Sequence, residues 1–349
     1  MIIVHITNSL AGGGGEQMVL QLAKQSSPTI RTIVFSITDV NTIENKFKAH
    51  QIEYYFLGIN SFRNKTLIKG LKKMHLIIKD LPNVVFHCHQ FHGCLLGMVY
   101  NLRYSKPIVF TLHSSTVKSF SRKMLLFLTK PLRKKDIIFS SNAKQWFLKN
   151  SDIIPNGVDF KALSYNTQRQ FESPNIFSFL FLGRLSDEKN PLFMVLAAEH
   201  LIKSGMTNFI IQVVGDGFLY DELSKKIKTH HLDAHFNLVG FQSDIKPYLD
   251  SSHCLILPSL WEGMPIVIIE AAAAKLPIIA TPVGSIPDFL NDSNATVSTL
   301  NHFNSAMIQV MQHYEAALLK ANKLYTEINS TFSIENVYNK HLHLYKSIV

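Results

Sequence analysis

The chain has 349 residues, 46% hydrophobic and 17% charged, which excludes global disorder and leaves room for two domains of ordinary size. Its net charge is +10, yet residues 1–160 carry 21 Lys/Arg against 8 Asp/Glu, and the remainder 14 against 17. A basic first half points to an anionic partner, such as a phosphate-bearing acceptor or a lipid head-group surface; without a basic–aromatic recognition motif, nucleic acid is not expected.

Residues 2–7 form an apolar run that predicts a buried strand. No basic residue precedes it, so it does not read as a signal peptide. Ala11-Gly12-Gly13-Gly14-Gly15-Glu16-Gln17 follows and opens a helix expected over residues 17–24. Glycines let backbone amides approach a phosphate or sugar at a helix N-terminus. The G-x-G-x-x-G dinucleotide pattern fails, because Gln17 stands where the third glycine would fall. Further strands are expected at residues 32–37, 84–89, 108–113 and 136–141. His87-Cys88-His89-Gln90-Phe91-His92-Gly93-Cys94 packs five metal-ligating side chains into eight residues. No second Cys/His pair follows nearby, so no metal site is expected there. The cysteines Cys88, Cys94 and Cys254 are too few and odd in number for a disulfide framework, which fits a reducing compartment. His113 stands at a strand end in Thr111-Leu112-His113-Ser114-Ser115-Thr116. From Lys118 to Lys135, cations interleave with Met124-Leu125-Leu126-Phe127-Leu128. That pattern suits an anionic membrane surface, or else a core helix with a solvated basic face.

Residues 164–175 are polar and aperiodic, a linker composition. A second strand series follows at residues 177–182, 209–214, 236–239, 254–257 and 277–281. Continuous apolar runs alternating with helices predict an α/β protein with parallel sheets covered on both faces. Ligands of such sheets bind outside the carboxyl ends of the strands. Three loops there stand out. Gly183 to Asn190 offers Arg184 and Lys189, a planar fork and a point charge suited to a diphosphate. Trp261-Glu262-Gly263-Met264-Pro265 leads into a helix through Lys275, with Pro265 expected in its first turn and amides of Gly263 and Met264 at its N-terminus. Glu270 falls inside this apolar helix, where a buried carboxylate needs a donor such as a ribose hydroxyl. Val283-Gly284-Ser285-Ile286-Pro287-Asp288 is a second glycine turn. The apolar tract over residues 265–283 contains Glu270, Lys275, Pro277 and Pro282, so a soluble chain is expected. Residues 333–349 have a helical pattern.

Taken in order, Gly12 to Gly15, His113, Ile154-Pro155-Asn156-Gly157-Val158-Asp159, Gly183-Arg184 with Lys189, Val214-Gly215-Asp216-Gly217, Val239-Gly240-Phe241, Glu262 to Pro265 with Glu270, and Val283 to Asp288 form a set that resembles retaining glycosyltransferases of family 4. The resemblance implies two Rossmann-like parallel-sheet domains facing across a cleft. It implies an acceptor-binding domain over residues 1–163, a nucleotide-sugar-binding domain over 164–332, and a helix over 333–349 packing back on the first. It implies transfer of a sugar from a UDP- or GDP-sugar to a lipid-linked or saccharide acceptor, with retention and without a metal or other cofactor. A cytoplasmic chain, peripheral at the inner face of the membrane, follows from it. Catalytic roles fall to His113, Arg184, Lys189 and Glu262. Gly14, Gly15, Gly183, Arg184, Lys189, Gly240, Phe241, Glu262, Gly263, Met264, Pro265 and Glu270 would hold the donor. Ser285 and Asp288 depart from the family, which usually has glycine and glutamate there. Three other classes, a sugar-nucleotide epimerase, a phosphorylase and a non-catalytic binding protein, share the architecture.

Overall fold

The computed structural model describes residues 1–113, 119–139, 151–165 and 175–349. Expectations for residues 114–116, Lys118, the end of strand 136–141 and most of the 164–175 linker lie outside them. The chain divides into two compact units, Met1–Gly157 with Ile334–Val349, and Val158–Ser333.

Unit 1 is built on β1 (Ile2–Thr7), β2 (Arg31–Ser36), β3 (Glu53–Phe56), β4 (Val84–His89), β5 (Ile108–Thr111), β6 (Lys135–Ile138) and β7 (Ser151–Ile153). They form a parallel sheet in the order β3-β2-β1-β4-β5-β6-β7. Side chains alternate across a strand, and here the alternation separates two chemistries. Ile2, Val4, Ile6, Val84, Phe86, Cys88, Ile108 and Phe110 enter one apolar core. The opposite face carries His5, His87, His89 and Thr111, aligned because His5 pairs with His87 and His89 with Thr111 in the strand registers. The final helix, Ile334–Lys346, belongs to this unit. Gly157 makes its approach possible, since a Cβ there would lie 2.9 Å from Val337 Cβ.

Unit 2 is built on β8 (Phe177–Leu182), β9 (Phe209–Val214), β10 (Phe236–Gly240), β11 (Cys254–Leu257), β12 (Ile278–Ala280) and β13 (Thr296–Val297), parallel in the order β10-β9-β8-β11-β12-β13. Phe177, Phe179 and Phe181 face a core completed by Phe303, Met307 and Leu318 from the helices Leu300–Gln312 and Tyr314–Phe332. The division between units falls at Gly157, before the linker composition suggests. The reason is local: Asp159 caps the short helix Phe160–Leu163 by accepting from Ala162 N at 2.9 Å, and Val158 bridges to Ser333. Among the described residues, no helix is long and apolar enough to cross a membrane. The apolar tract over 265–283 is broken into the helix Ile266–Ala273 and β12.

The carboxyl ends of β8, β9 and β10 are fastened through glycine. Gly183 N donates to Val214 O at 3.0 Å and Gly215 N donates to Gly240 O at 2.9 Å. Gly215 has φ +149°, and a Cβ there would lie 1.9 Å from Gly183 O. Backbone cannot yield as a flexible side chain would, so Gly215→Ala should cost about 2 kcal/mol or more in urea denaturation followed by circular dichroism.

Candidate active site

In unit 2, loops at the ends of adjacent strands converge on one ion pair. Lys189, on the loop after β8, donates from Nζ to Glu262 Oε1 at 2.5 Å. Glu262, on the loop after β11, accepts a second bond on the same oxygen from Ser259 Oγ at 2.7 Å. Glu262 is buried and Lys189 nearly so, with side-chain exposures of 7% and 17%. A buried carboxylate needs such partners to remain charged. Two further bonds repeat the link: Leu260 N donates to Glu188 O at 2.8 Å, and the Asn190 side chain donates from Nδ2 to Pro258 O at 3.2 Å.

The second glycine turn clamps the Glu262 loop. Gly284 has φ +62°, and a Cβ there would lie 2.0 Å from Glu262 O. Ser285 Oγ donates to Gly263 O at 2.6 Å, which gives the serine that departs from the family pattern a part in holding this loop. Arg184 is exposed on the same loop as Lys189. Burial opposes ionisation of Glu188, but hydrogen bonding and the charges of Arg184 and Lys189 hold its carboxyl below the usual range.

Several expectations change. Pro265 is the N-cap of Ile266–Ala273 rather than part of its first turn, with φ −74° and ψ 103°. Gly263 and Met264 therefore lie in the turn before the helix, whose own first amides are those of Ile266 and Val267. Proline, lacking an N–H, fits either position at no cost. Glu270 is half-buried rather than buried, and it is engaged within the chain. Gly240 has φ +77° with open space where a Cβ would stand, and the adjacent Phe241 is 40% exposed, an accessible aromatic surface at the end of β10.

In unit 1 the helix begins at Gly14, earlier than residue 17, with Gly13 as N-cap. Gly15 is buried, and its missing Cβ would lie 3.2 Å from His113 Cγ. Gly14, Gly15 and His113 are thus brought together. His113 ends a line of imidazoles: His5 Nδ1 lies 2.8 Å from His89 Nε2, and His89 Nδ1 lies 2.8 Å from His113 Nε2. His87 is held separately by Thr111 Oγ1 at 2.8 Å and Tyr345 OH at 2.7 Å, and His341 Nδ1 donates to Val337 O at 2.8 Å. Burial, reinforced by neighbouring histidines, pushes His5 and His113 down to about 3. Burial also lowers His341 to about 4 against the bond to Val337, and puts His87 and His89 well below the ordinary value. All five rings are therefore neutral near pH 7. One ring nitrogen from each of His5, His87 and His89 lies within 4.8 Å of the other two. This grouping joins His5, which lies far outside the run from His87 to Cys94. The usable signal was His87-x-His89, whose spacing puts both rings on one face of a strand.

The basic segment divides in use. Arg133 is buried and clasps Asp136 through two bonds of 2.7 and 2.9 Å, so its charge is structural. The helix Phe120–Leu128 buries Leu126 but leaves Phe120, Phe127 and Leu128 at 75%, 61% and 66% exposure. That pattern disagrees with a core helix.

Two outcomes test these sites. Lys189→Ala strands Glu262 in a buried position, so denaturation should show a loss of about 3 kcal/mol, partly recovered by adding Glu262→Gln. The histidines titrate lower in the folded chain than their ordinary 6.5, so the unfolded chain binds protons first as pH falls. Stability should be full above pH 6.5 and fall toward about 3. Urea midpoints should give a slope steeper than the about 1.4 kcal/mol per pH unit that one such group contributes.

Residues 12–161 match Glycosyltransferase Family 4, and residues 166–324 match Glycosyl transferases group 1. An Escherichia coli UDP-Gal:alpha-D-GlcNAc-diphosphoundecaprenol alpha-1,3-galactosyltransferase is 29% identical over 279 residues, covering 71% of this chain and 69% of its own. A Campylobacter jejuni alpha-1,4-N-acetyl-D-galactosaminyltransferase, named for a diphosphoundecaprenol-linked glycan, is 24% identical over 280 residues, covering 78% and 76%. The crystal structure of Anabaena Alr3699/HepE in complex with UDP-glucose superposes with a TM-score of 0.84 at 17% identity, covering 99% of this chain and 100% of that one, a likeness of fold. Two family matches in tandem over most of the chain, on two parallel-sheet Rossmann-like units, make it a member of the family 4, group 1 glycosyltransferases of GT-B fold.

Proposed function

We propose that this glycosyltransferase moves a hexosyl group from a UDP- or GDP-sugar to an acceptor hydroxyl, with retention of anomeric configuration and without a metal, in assembly of a surface polysaccharide or glycolipid. The Lys189–Glu262 pair at the ends of two adjacent strands carries this reading. Lys189 and exposed Arg184 neutralise the departing diphosphate as the bond from the anomeric carbon to the phosphate oxygen breaks. The acceptor oxygen bonds to that carbon, and its proton passes to the leaving phosphate. Both hydrogen bonds to Glu262 fall on Oε1, and in this proposal Oε2 takes a donor-sugar hydroxyl. Glu270 takes the ribose, Gly240 and Phe241 the base, and Gly183 and the turn through Gly263, Met264 and Pro265 line the donor. In unit 1, His113 and the Gly14–Gly15 turn meet the donor sugar. Support comes from the Anabaena structure, solved with UDP-glucose, and from relatives named for diphosphoundecaprenol-linked substrates. A panel of UDP-, GDP- and ADP-sugars scored for turnover should yield at least one substrate. Chelator should leave the rate unchanged, and Arg184→Ala should lower kcat by about 10²–10³-fold. Turnover of none of them defeats the reading.

The acceptor side of the proposal is a lipid surface. Exposed Phe120, Phe127 and Leu128 share a short helix with Arg122 and Lys123, an apolar face with cations suited to anionic lipid. The chain should float with phosphatidylglycerol vesicles at low salt, and Phe127→Asp with Leu128→Asp should leave it in the dense fraction. Failure of the unaltered chain to float at low salt rules the surface out.

A further inference from the structure

The line of imidazoles in unit 1 has no part in the reading above except at its end. We propose that His5 and His89 are positioning residues for His113, fixing through a continuous row of ring nitrogens which tautomer His113 presents at Nδ1. The inference rests on the reading that His113 meets the donor sugar, but its geometry stands apart from it.

A neutral imidazole has one N–H and one lone pair. His5 Nδ1 faces His89 Nε2 and His89 Nδ1 faces His113 Nε2, each at 2.8 Å. Each junction needs one donor and one acceptor. If His5 carries its proton on Nδ1, then His89 and His113 must carry theirs on Nδ1 too. If His113 carries its proton on Nε2, the other two follow. Three rings on two strands and a strand end thus share one state, and a single mismatched ring would set two N–H groups or two lone pairs against each other in a buried place. His113 Nδ1 is buried and has no hydrogen-bond partner among the described residues. The His113 ring lines a small pocket together with Met18, Leu22, Phe139, Pro155 and Asn156. Whether this nitrogen is a donor or an acceptor is therefore coupled to the tautomers of His5 and His89. His87 stays outside the row, because Tyr345 OH and Thr111 Oγ1 occupy its two nitrogens. A divalent ion among His5, His87 and His89 fits less well. It would replace these bonds, and among the described residues the groups acting electrostatically on the three rings are other histidines rather than a carboxylate that would balance a buried double charge.

The test is spectroscopic. The full chain with ¹⁵N-labelled histidine, recorded at pH 7 by long-range ¹H–¹⁵N correlation, should show His5, His89 and His113 in the same neutral tautomer. In His89→Phe, the two ring nitrogens of His113 should move toward a common averaged shift, while His341, held by Val337 O, keeps its Nδ1–H pattern. His5→Phe should move His89 and His113 together. If either variant fails to fold, the spectrum of the unaltered chain still decides. Three rings in differing tautomers, an unchanged His113 in a folded variant, or one equivalent of Zn²⁺ retained after dialysis with perturbed His5, His87 and His89 signals would overturn the proposal. None of these readouts needs a sugar donor, so failure of the glycosyl-transfer reading registers separately in the turnover panel.

Discussion

The ion pair between Lys189 and Glu262 is the constraint around which unit 2 is arranged. It joins loops that lie 73 residues apart in sequence and follow neighbouring strands. Glu262 is too buried to stay charged unaided, so Lys189 and Ser259 must be delivered to it with small tolerance. The surrounding backbone meets that need. Leu260 is tied to Glu188, Gly284 packs against the Glu262 carbonyl, and Ser285 holds the carbonyl of Gly263. A polar group held this way is already ordered before a ligand arrives, which is the condition under which electrostatic stabilisation is effective.

Unit 1 solves a different problem with the same strand geometry. Alternation along β1 and β4 sends apolar residues to one face and histidines to the other. The histidine face is closed by the last helix through Tyr345 and His341, and burial then keeps the rings neutral. Neutral, hydrogen-bonded imidazoles sit in an interior at far lower cost than charged ones. The result is a polar layer inside a domain whose surface is strongly basic.

The central strands were legible because most are apolar runs covered on both faces. The strands β3, β7 and β13 were not. All three lie at sheet edges, and they are short and only partly buried, so their sequences carry little of the signal that burial imposes. The start of the first helix at Gly14 was hidden for another reason. Glycine is a poor helix former, so propensity places the start after the glycines. Contact with His113 decides otherwise, since Gly15 occupies a place where a side chain would press on that ring. Arg133 looked like one more cation in a basic run, and only the fold put Asp136 against it.

By itself, the sequence determined the two series of parallel strands, the position of the candidate loops at strand ends, and the identity of the residues there, because hydrophobic runs, glycine turns and isolated charges are local properties. Only the tertiary structure decided which of those residues meet. Lys189 and Glu262, or His5, His89 and His113, are brought together by strand order and register, which depend on pairings between distant segments. No local pattern specifies how a carboxylate is neutralised or which nitrogen faces which, since burial and partnership exist only after the sheets have formed.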